Sequence, residues 1–255
     1  MTQRYNYNPE VIERESERIL GELSQSSFDL QVFSLDTLYK KEFPDLEWLV
    51  YGLIPTHSRI AFAGQPESFK SFIAQHIAVA VSEGKLVFDR FQTKRARVLI
   101  IDLENHEQII SERMHLLGAE PSKELMISVS SDFSLEKDTC VKAVVQLIQK
   151  YSIKLVIFDS LIRMHESKED DSVAMAGVTK TFKRFIDVGA SVIFIHHEKK
   201  SDAQSPNAQS MRGSSEIRAA VDLQYGFKAD DKTITITQFK NRLRPKISPI
   251  VVHVE

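Results

Sequence analysis

From residue 59 onward, short and mainly apolar runs alternate with stretches of helical periodicity. The apolar runs are four or five residues long and span 59–63, 98–101, 125–129, 154–158 and 191–195. The helical patterns span 71–81, 107–117, 136–150 and 173–188. Strands that are apolar along their length are typical of a parallel sheet with both faces covered by helices. Right-handed β-α-β crossovers between them predict a doubly wound, mostly parallel α/β fold.

The last third of the chain has a different pattern, in which apolar residues alternate or run between short turns. Three such segments span 221–227, 232–239 and 247–254, and one turn contains Asp230 and Asp231. Closely spaced segments of this kind are typical of antiparallel pairing. We therefore expect antiparallel C-terminal strands that extend the parallel sheet.

The first 45 residues follow neither pattern. Residues 9–25 have helical spacing, with Val11, Ile19 and Leu23 on one side and mostly charged residues elsewhere. This apolar stripe is thin for a helix that packs in a core. We predict a helical arm over residues 1–45, which packs on its own domain or on a neighbouring subunit, followed by one α/β domain over residues 46–255.

Composition and charge exclude only a few classes. Lys and Arg number 33 against 35 Asp and Glu, so any nucleic-acid contact requires a local basic patch. The single cysteine, Cys140, excludes an internal disulfide and a cysteine-built zinc site, and we expect its thiol to be buried. No apolar run reaches the ~18 residues of a membrane span, and residues 1–10 lack a signal-peptide core, so we expect a cytoplasmic protein.

The strongest chemical signal follows the first apolar run. Residues 64–71, Gly-Gln-Pro-Glu-Ser-Phe-Lys-Ser, lie between a predicted strand and a predicted helix, as a phosphate-binding loop does. Gly64, Lys70 and Ser71 match the pattern G-x-x-x-x-G-K-[ST], whereas Phe69 stands where the last glycine is usual and Glu67 adds a carboxylate. Such loops bind phosphate through backbone N–H groups and the lysine, and Mg²⁺ through the hydroxyl. The alternative is an ordinary strand-turn-helix connection with Lys70 on a solvated surface.

Carboxylates end two further apolar runs. Asp159 follows one of them and could share a magnesium site with Ser71. Asp102 and Glu104 follow another, and either could orient the water that attacks a terminal phosphate. The alternative for this second group is structural, with Asp102 or Asn105 capping the helix that follows.

Histidines and late cations complete the set of candidates. His196 and His197 end an apolar run and could sense the terminal phosphate. Zinc is disfavoured, because adjacent strand residues point to opposite faces and no further ligand lies at a useful spacing. Arg212, Lys240 and Arg242 fall in late loops or strand ends, and their alternative role is that of a solvated basic turn.

Taken in order, these motifs resemble those of RecA-like P-loop ATPases of the plasmid RepA type, small hexameric replicative helicases and their mobile-element relatives. The matching segments lie within residues 45–245 and span 48–55, 64–71, 102–105, 159–163, 196–200 and 212–215. The resemblance implies a RecA-like sheet that binds ATP and Mg²⁺. It also implies a homo-oligomer that contacts single-stranded DNA and a replication initiator or primase. Members of the family form hexamers, so the resemblance implies a hexamer.

The resemblance implies a role for each matched residue. Glu104 would be the catalytic carboxylate, Ser71 and Asp159 the magnesium ligands, and His197, or His196, the sensor. The cation that reaches a neighbouring subunit's nucleotide would be one of Arg212, Lys240 and Arg242. The nucleotide itself would be bound by Gly64, Gln65, Pro66, Glu67, Ser68, Phe69, Lys70, Ser71 and Phe72.

The two long polar segments weaken the DNA part of this interpretation. In the family, the equivalents of residues 164–172 and 199–213 line the channel for single-stranded DNA. Here the first is acidic, and the second carries Lys199, Lys200 and Arg212 but no aromatic residue for base stacking. The residues therefore indicate an ATPase more firmly than a helicase.

We interpret the sequence as that of a Mg²⁺-dependent ATP hydrolase. On this interpretation the protein assembles as a ring and moves on single-stranded DNA, as a replicative helicase of a plasmid or mobile element. Glu67, Phe69 and the acidic segment leave open a different class, a RecA-like regulatory or scaffolding module with weak ATPase activity. A recombination mediator of the RecA kind is a third hypothesis.

Overall fold

The computed structural model describes residues 9–23, 31–129, 132–164, 172–197 and 219–253. The chain divides into two compact units, Met1–Asp45 and Leu46–Glu255. In the first unit lie helices α1 (Pro9–Leu23) and α2 (Leu35–Lys40). The Ser34 hydroxyl caps α2 by accepting a hydrogen bond from the Thr37 N–H at 3.1 Å.

The second unit contains all the strands and the remaining helices of the described residues. The helices are α3 (Lys70–Glu83), α4 (Glu107–Leu116), α5 (Asp138–Tyr151) and α6 (Ser172–Asp187), with a single 3₁₀ turn at Leu161–Arg163. The strands are β1 (Trp48–Val50), β2 (Ile54–Pro55), β3 (Arg59–Gly64), β4 (Val98–Asp102), β5 (Leu125–Ser128), β6 (Leu155–Asp159), β7 (Ser191–His197), β8 (Leu223–Ala229), β9 (Thr233–Asn241) and β10 (Ile250–His253).

Eight of these strands form one sheet in the order β10-β9-β8-β3-β7-β6-β4-β5. All pairings from β8 to β5 are parallel, and β9 pairs antiparallel with both β8 and β10. The prediction of a mostly parallel α/β sheet with antiparallel C-terminal strands is confirmed. Strand β8 joins the two parts, since it is parallel to β3 on one side and antiparallel to β9 on the other.

The parallel strands are apolar along their length because both faces of the sheet are covered. On one face Ile73 and Ile77 of α3 belong to the same buried cluster as Phe62 of β3. On the other face Phe182 of α6 stacks on Phe194 of β7, with ring centroids 5.2 Å apart. Full burial of such a side chain contributes about 1.5–3 kcal/mol to the stability of the fold. These two layers therefore stabilise the sheet whose strands end at the polar candidate residues.

Two further features bear on the sequence predictions. Cys140 is half-buried rather than buried, because the core-facing stripe of α5 consists of its neighbours Val141, Val144 and Ile148. Within the described residues, no helix is both long and apolar enough to cross a bilayer. The polar segments 164–172 and 199–213 fall largely outside the described residues.

Candidate functional site

In the loop between β3 and α3, two residues that are not glycine adopt backbone conformations that favour glycine. Glu67 and Phe69 have φ angles of 63° and 61°, in the left-handed region that favours glycine. Each such residue costs about 1–2 kcal/mol of backbone strain. Both side chains are exposed, so the loop accommodates them at its outer surface. At Gly64, an added Cβ would lie 2.6 Å from the Phe227 carbonyl oxygen, so a side chain does not fit there.

Lys70 is the first residue of α3 and lies inside this loop. Its side chain is 2% exposed, so the alternative in which Lys70 lies on a solvated surface is wrong. The Nζ group donates to the Gln65 carbonyl oxygen at 2.6 Å and lies 3.0 Å from the Ser68 hydroxyl. The Ser68 hydroxyl donates to the same carbonyl at 2.7 Å. The ammonium group is therefore enclosed by the loop at a helix N-terminus, a position suited to binding phosphate.

Ser71 and Asp159 meet at the carboxyl edge of the sheet. The Asp159 carboxylate is 2% exposed, and the nearby Ser71 side chain acts to lower its pKa. Burial raises the pKa of Asp159 to about 7, and the neighbouring Asp102 carboxylate adds to the rise. Among the described residues, the buried Oδ1 atom of Asp159 has no hydrogen-bond partner. A buried carboxylate oxygen without a donor, beside a serine hydroxyl, fits the oxygen ligands that Mg²⁺ prefers.

Glu104 lies beyond the end of β4 and contacts Ser160, which follows β6, and His197, the last residue of β7. Its carboxylate accepts a hydrogen bond from the Ser160 hydroxyl, and its Oε1 atom lies 3.5 Å from His197 Nε2. The hydrogen bond with His197 lowers the pKa of Glu104 to about 2, with help from Ser160 and from the positive charge of Arg163. Glu104 is therefore ionised at neutral pH, as a general base must be.

Asp102 has a structural role instead. It is fully buried, and its Oδ1 atom accepts the backbone N–H groups of Glu104 and Asn105, both at 2.9 Å. Its two oxygens also accept the Asn105 side-chain amide at 3.2 and 3.0 Å. These bonds hold the turn that presents Glu104. The alternative in which Asp102 or Asn105 caps α4 is wrong, because His106 is the N-cap residue and no side chain caps it.

The two histidines differ in position on β7. His197 pairs in register with Gly64, the start of the phosphate loop, and its side chain is 27% exposed beside Glu104. His196 pairs with Ala63 and is buried at 5% exposure. Since successive strand residues face opposite sides, only one of the two can approach Glu104. The structure brings His197 to that position.

Residues 25–203 match the family model described as the AAA domain. This chain belongs to the AAA domain family. A solved structure described as an ATPase domain is similar to it, with a TM-score of 0.59 and 13% sequence identity over 77% of this chain and 81% of that chain. At this identity the likeness concerns the fold, and it agrees with a RecA-like arrangement of a P-loop ATPase.

Two of the late cations, Lys240 and Arg242, lie away from the site that this AAA domain assembles. Along the strand direction, Arg242 lies at the same position as Arg59, because Asp222 makes backbone hydrogen bonds to both. Since Gly64 lies five residues further along β3, Arg242 is about 16 Å from the carboxyl edge. Arg242 Nη1 lies 3.7 Å from Asp222 Oδ1, and Lys240 Nζ lies 3.5 Å from the Ala219 carbonyl oxygen. Arg212 falls outside the described residues.

Ser160 is the residue of the AAA domain that the sequence patterns left without a role. It follows Asp159 directly, and its peptide bond with Asp159 is cis. Ser160 is fully buried, and its hydroxyl donates a hydrogen bond to Glu104, which follows a different strand. The one signal in the sequence was its place next to a candidate magnesium ligand.

Proposed function

We propose that this AAA domain hydrolyses ATP with Mg²⁺ at the carboxyl edge of its sheet. The observation that carries the proposal is the convergence of five side chains there, from the ends of three adjacent strands, β4, β6 and β7, and from the start of α3. These side chains are Lys70, Ser71, Glu104, Asp159 and His197. A cation, a hydroxyl-carboxylate pair and an ionised glutamate in one place are the parts that phosphoryl transfer to water needs.

Each residue then has a distinct task. Lys70 exchanges its bonds to Gln65 and Ser68 for bonds to phosphate oxygens, together with the N–H groups at the start of α3. Ser71 and Asp159 would hold Mg²⁺, which neutralises charge on the phosphates. Glu104 takes the proton of the attacking water. His197 contacts Glu104 and lies beside the phosphate loop, so it connects this base to the phosphate-binding part of the site.

The proposal extends to a homo-oligomeric ring of RepA type, in which residues 1–45 form an arm and Arg212, Lys240 or Arg242 completes the site of a neighbouring subunit. The place of Lys240 and Arg242 at the far edge of the sheet supports action in trans, because neither reaches the site of its own chain. Movement on single-stranded DNA, a role in plasmid or mobile-element replication, and a primase or initiator partner rest on the sequence resemblance.

A second candidate is a RecA-like nucleotide-binding module with weak hydrolysis. The observation that favours it is the engagement of Glu104 by both Ser160 and His197, which leaves fewer acceptor sites for a water. The left-handed Glu67 and Phe69 add strain to the loop that must receive phosphate.

One experiment separates the two candidates. The ATPase rate and the mass of the same sample are measured with and without Mg²⁺ and single-stranded oligonucleotide. A ring-forming motor predicts a larger mass with nucleotide and a rate that rises on addition of the oligonucleotide. A low rate that the oligonucleotide does not change supports the module, and no Mg²⁺-dependent turnover contradicts the proposed hydrolysis.

A further inference from the structure

A groove of about 450 Å³ lies beside the phosphate loop, on one face of β8 and β9. Its lining joins loop residues 65–68 to strand residues that include Gly226, Thr235, Thr237 and Phe239. The volume is within the range of about 300–1,000 Å³ that small-molecule sites in proteins occupy. Neither Glu104 nor His197 lines this groove, so the hydrolytic arrangement described above does not account for it.

Phe239 gives the groove a flat aromatic surface. Its side chain is 45% exposed near the end of β9. A Cβ added at Gly226 would lie 2.0 Å from Phe239 Cε2, so the ring rests directly on the backbone of the glycine. The edge of the ring that carries Cδ2, Cε2 and Cζ is thus packed against β8, and the exposed part of the side chain remains available for a ligand.

Hydroxyl groups flank this ring. Thr235 and Thr237 alternate along β9 with the buried Ile234 and Ile236, so the threonines face the groove. Aromatic side chains stack on nucleobases through their faces, and hydroxyls bond to ribose or to base edges. An open ring with hydroxyl neighbours next to a phosphate loop therefore has the chemistry of a nucleoside site.

We propose that this groove binds the base and ribose of the nucleotide whose phosphates the loop holds, with Phe239 as the stacking surface. The inference rests on the proposed nucleotide site. Residues 65–68 border both the groove and the enclosed Lys70, so one ligand spans the two. Stacking on a phenyl ring accepts every base, so little discrimination between ATP and GTP is expected at this position.

The test compares the affinities of Mg²⁺-ATP and Mg²⁺-tripolyphosphate for the full chain by calorimetry. Phe239→Ala should weaken ATP binding about five- to a hundredfold and leave tripolyphosphate binding unchanged, because only ATP carries a base. Phe239→Trp should retain ATP affinity. Tyr51→Ala, which removes a ring that is 68% exposed and does not line the groove, should change neither affinity. Thermal unfolding of each variant checks that the fold is kept.

Four results would overturn the inference. Unchanged ATP affinity in Phe239→Ala, or an equal loss for both ligands, means that the ring does not contact the nucleoside. Weaker binding of a single-stranded oligonucleotide with unchanged ATP affinity assigns the ring to nucleic acid instead. If the wild-type chain binds neither ATP nor tripolyphosphate, the proposed nucleotide site itself fails, and that outcome differs from a selective effect of Phe239.

Discussion

The carboxyl edge of the central sheet and the opposite edge, where the parallel strands begin, differ in how their polar residues are bonded. At the carboxyl edge, Glu104 contacts Ser160 and His197, and Lys70 is enclosed by the phosphate loop. At the opposite edge, the Arg242 side chain is 54% exposed and lies 3.7 Å from Asp222. Asp222 bonds more closely to Arg59, with its Oδ2 atom 2.9 Å from the Arg59 backbone N.

This difference shows which parts of the site one chain can build alone. Parallel strands in fixed register bring their last residues together, so the carboxyl edge is organised by the fold itself. A loosely held arginine far from that edge is not organised for the same site. The comparison therefore separates the residues that one chain brings together from an arginine that, in the proposed ring, would act on the site of a neighbouring subunit.

The largest effect is expected for Lys70→Ala, which removes the cation at the centre of the carboxyl edge. Nucleotide binding and turnover should both fall below detection, because the phosphates lose their one enclosed cation among the described residues. Calorimetry and a steady-state ATPase assay measure the two properties. Lys183→Ala, at a lysine that is 67% exposed on α6, serves as the matched control. Unchanged ATP affinity in Lys70→Ala would remove the basis for the phosphate-loop assignment.

The opposite edge is tested by Arg242→Ala, which should slow hydrolysis about a thousandfold while ATP binding is retained, as expected for a cation supplied in trans. Mixing this variant with Lys70→Ala should restore part of the activity, because each subunit supplies what the other lacks. The measurement is the ATPase rate against the mixing ratio, with Arg212→Ala and Lys240→Ala as parallel cases. If no mixture recovers activity, and activity per subunit persists in a demonstrated monomer, these cations belong to the solvated surface.

Within the carboxyl edge, Glu104→Gln should lower turnover about a hundredfold or more and keep ATP affinity, since an amide cannot accept the proton of water. Single-turnover kinetics and calorimetry separate the two effects. Asp102→Asn is the contrast, because it changes the turn beneath Glu104 rather than the base itself. A normal rate in Glu104→Gln together with a large loss in Asp102→Asn would show that the two roles are reversed.

The smallest effect concerns the strain in the phosphate loop. At Phe69 the φ angle is 61°, so Phe69→Gly should be more stable than Phe69→Ala by about 1 kcal/mol. Chemical denaturation of the two variants measures the difference in unfolding free energy. Equal stabilities would indicate that the loop relaxes out of the left-handed conformation when the phenyl ring is absent.

The sequence predicts the sheet and the candidates at its carboxyl edge because both depend on local patterns. Apolar runs mark β3, β4, β6 and β7, and the chemistry-bearing residues follow directly after them. The burial of Lys70 could not be predicted in this way, since it depends on the backbone path through two left-handed residues. The contact between Ser160 and Glu104, and that between Phe239 and Gly226, join different strands, and no spacing in the sequence encodes them.

Arg242 and the phosphate loop lie at opposite edges of the same sheet, so in the proposed ring a contact between them would join subunits head to tail rather than face to face. An open row of n subunits joined in this way contains n − 1 complete sites, with one unused pocket at one end and one unused arginine at the other. Closure of the row into a ring completes the last site without adding a residue. Turnover per subunit would therefore report whether the assembly is open or closed.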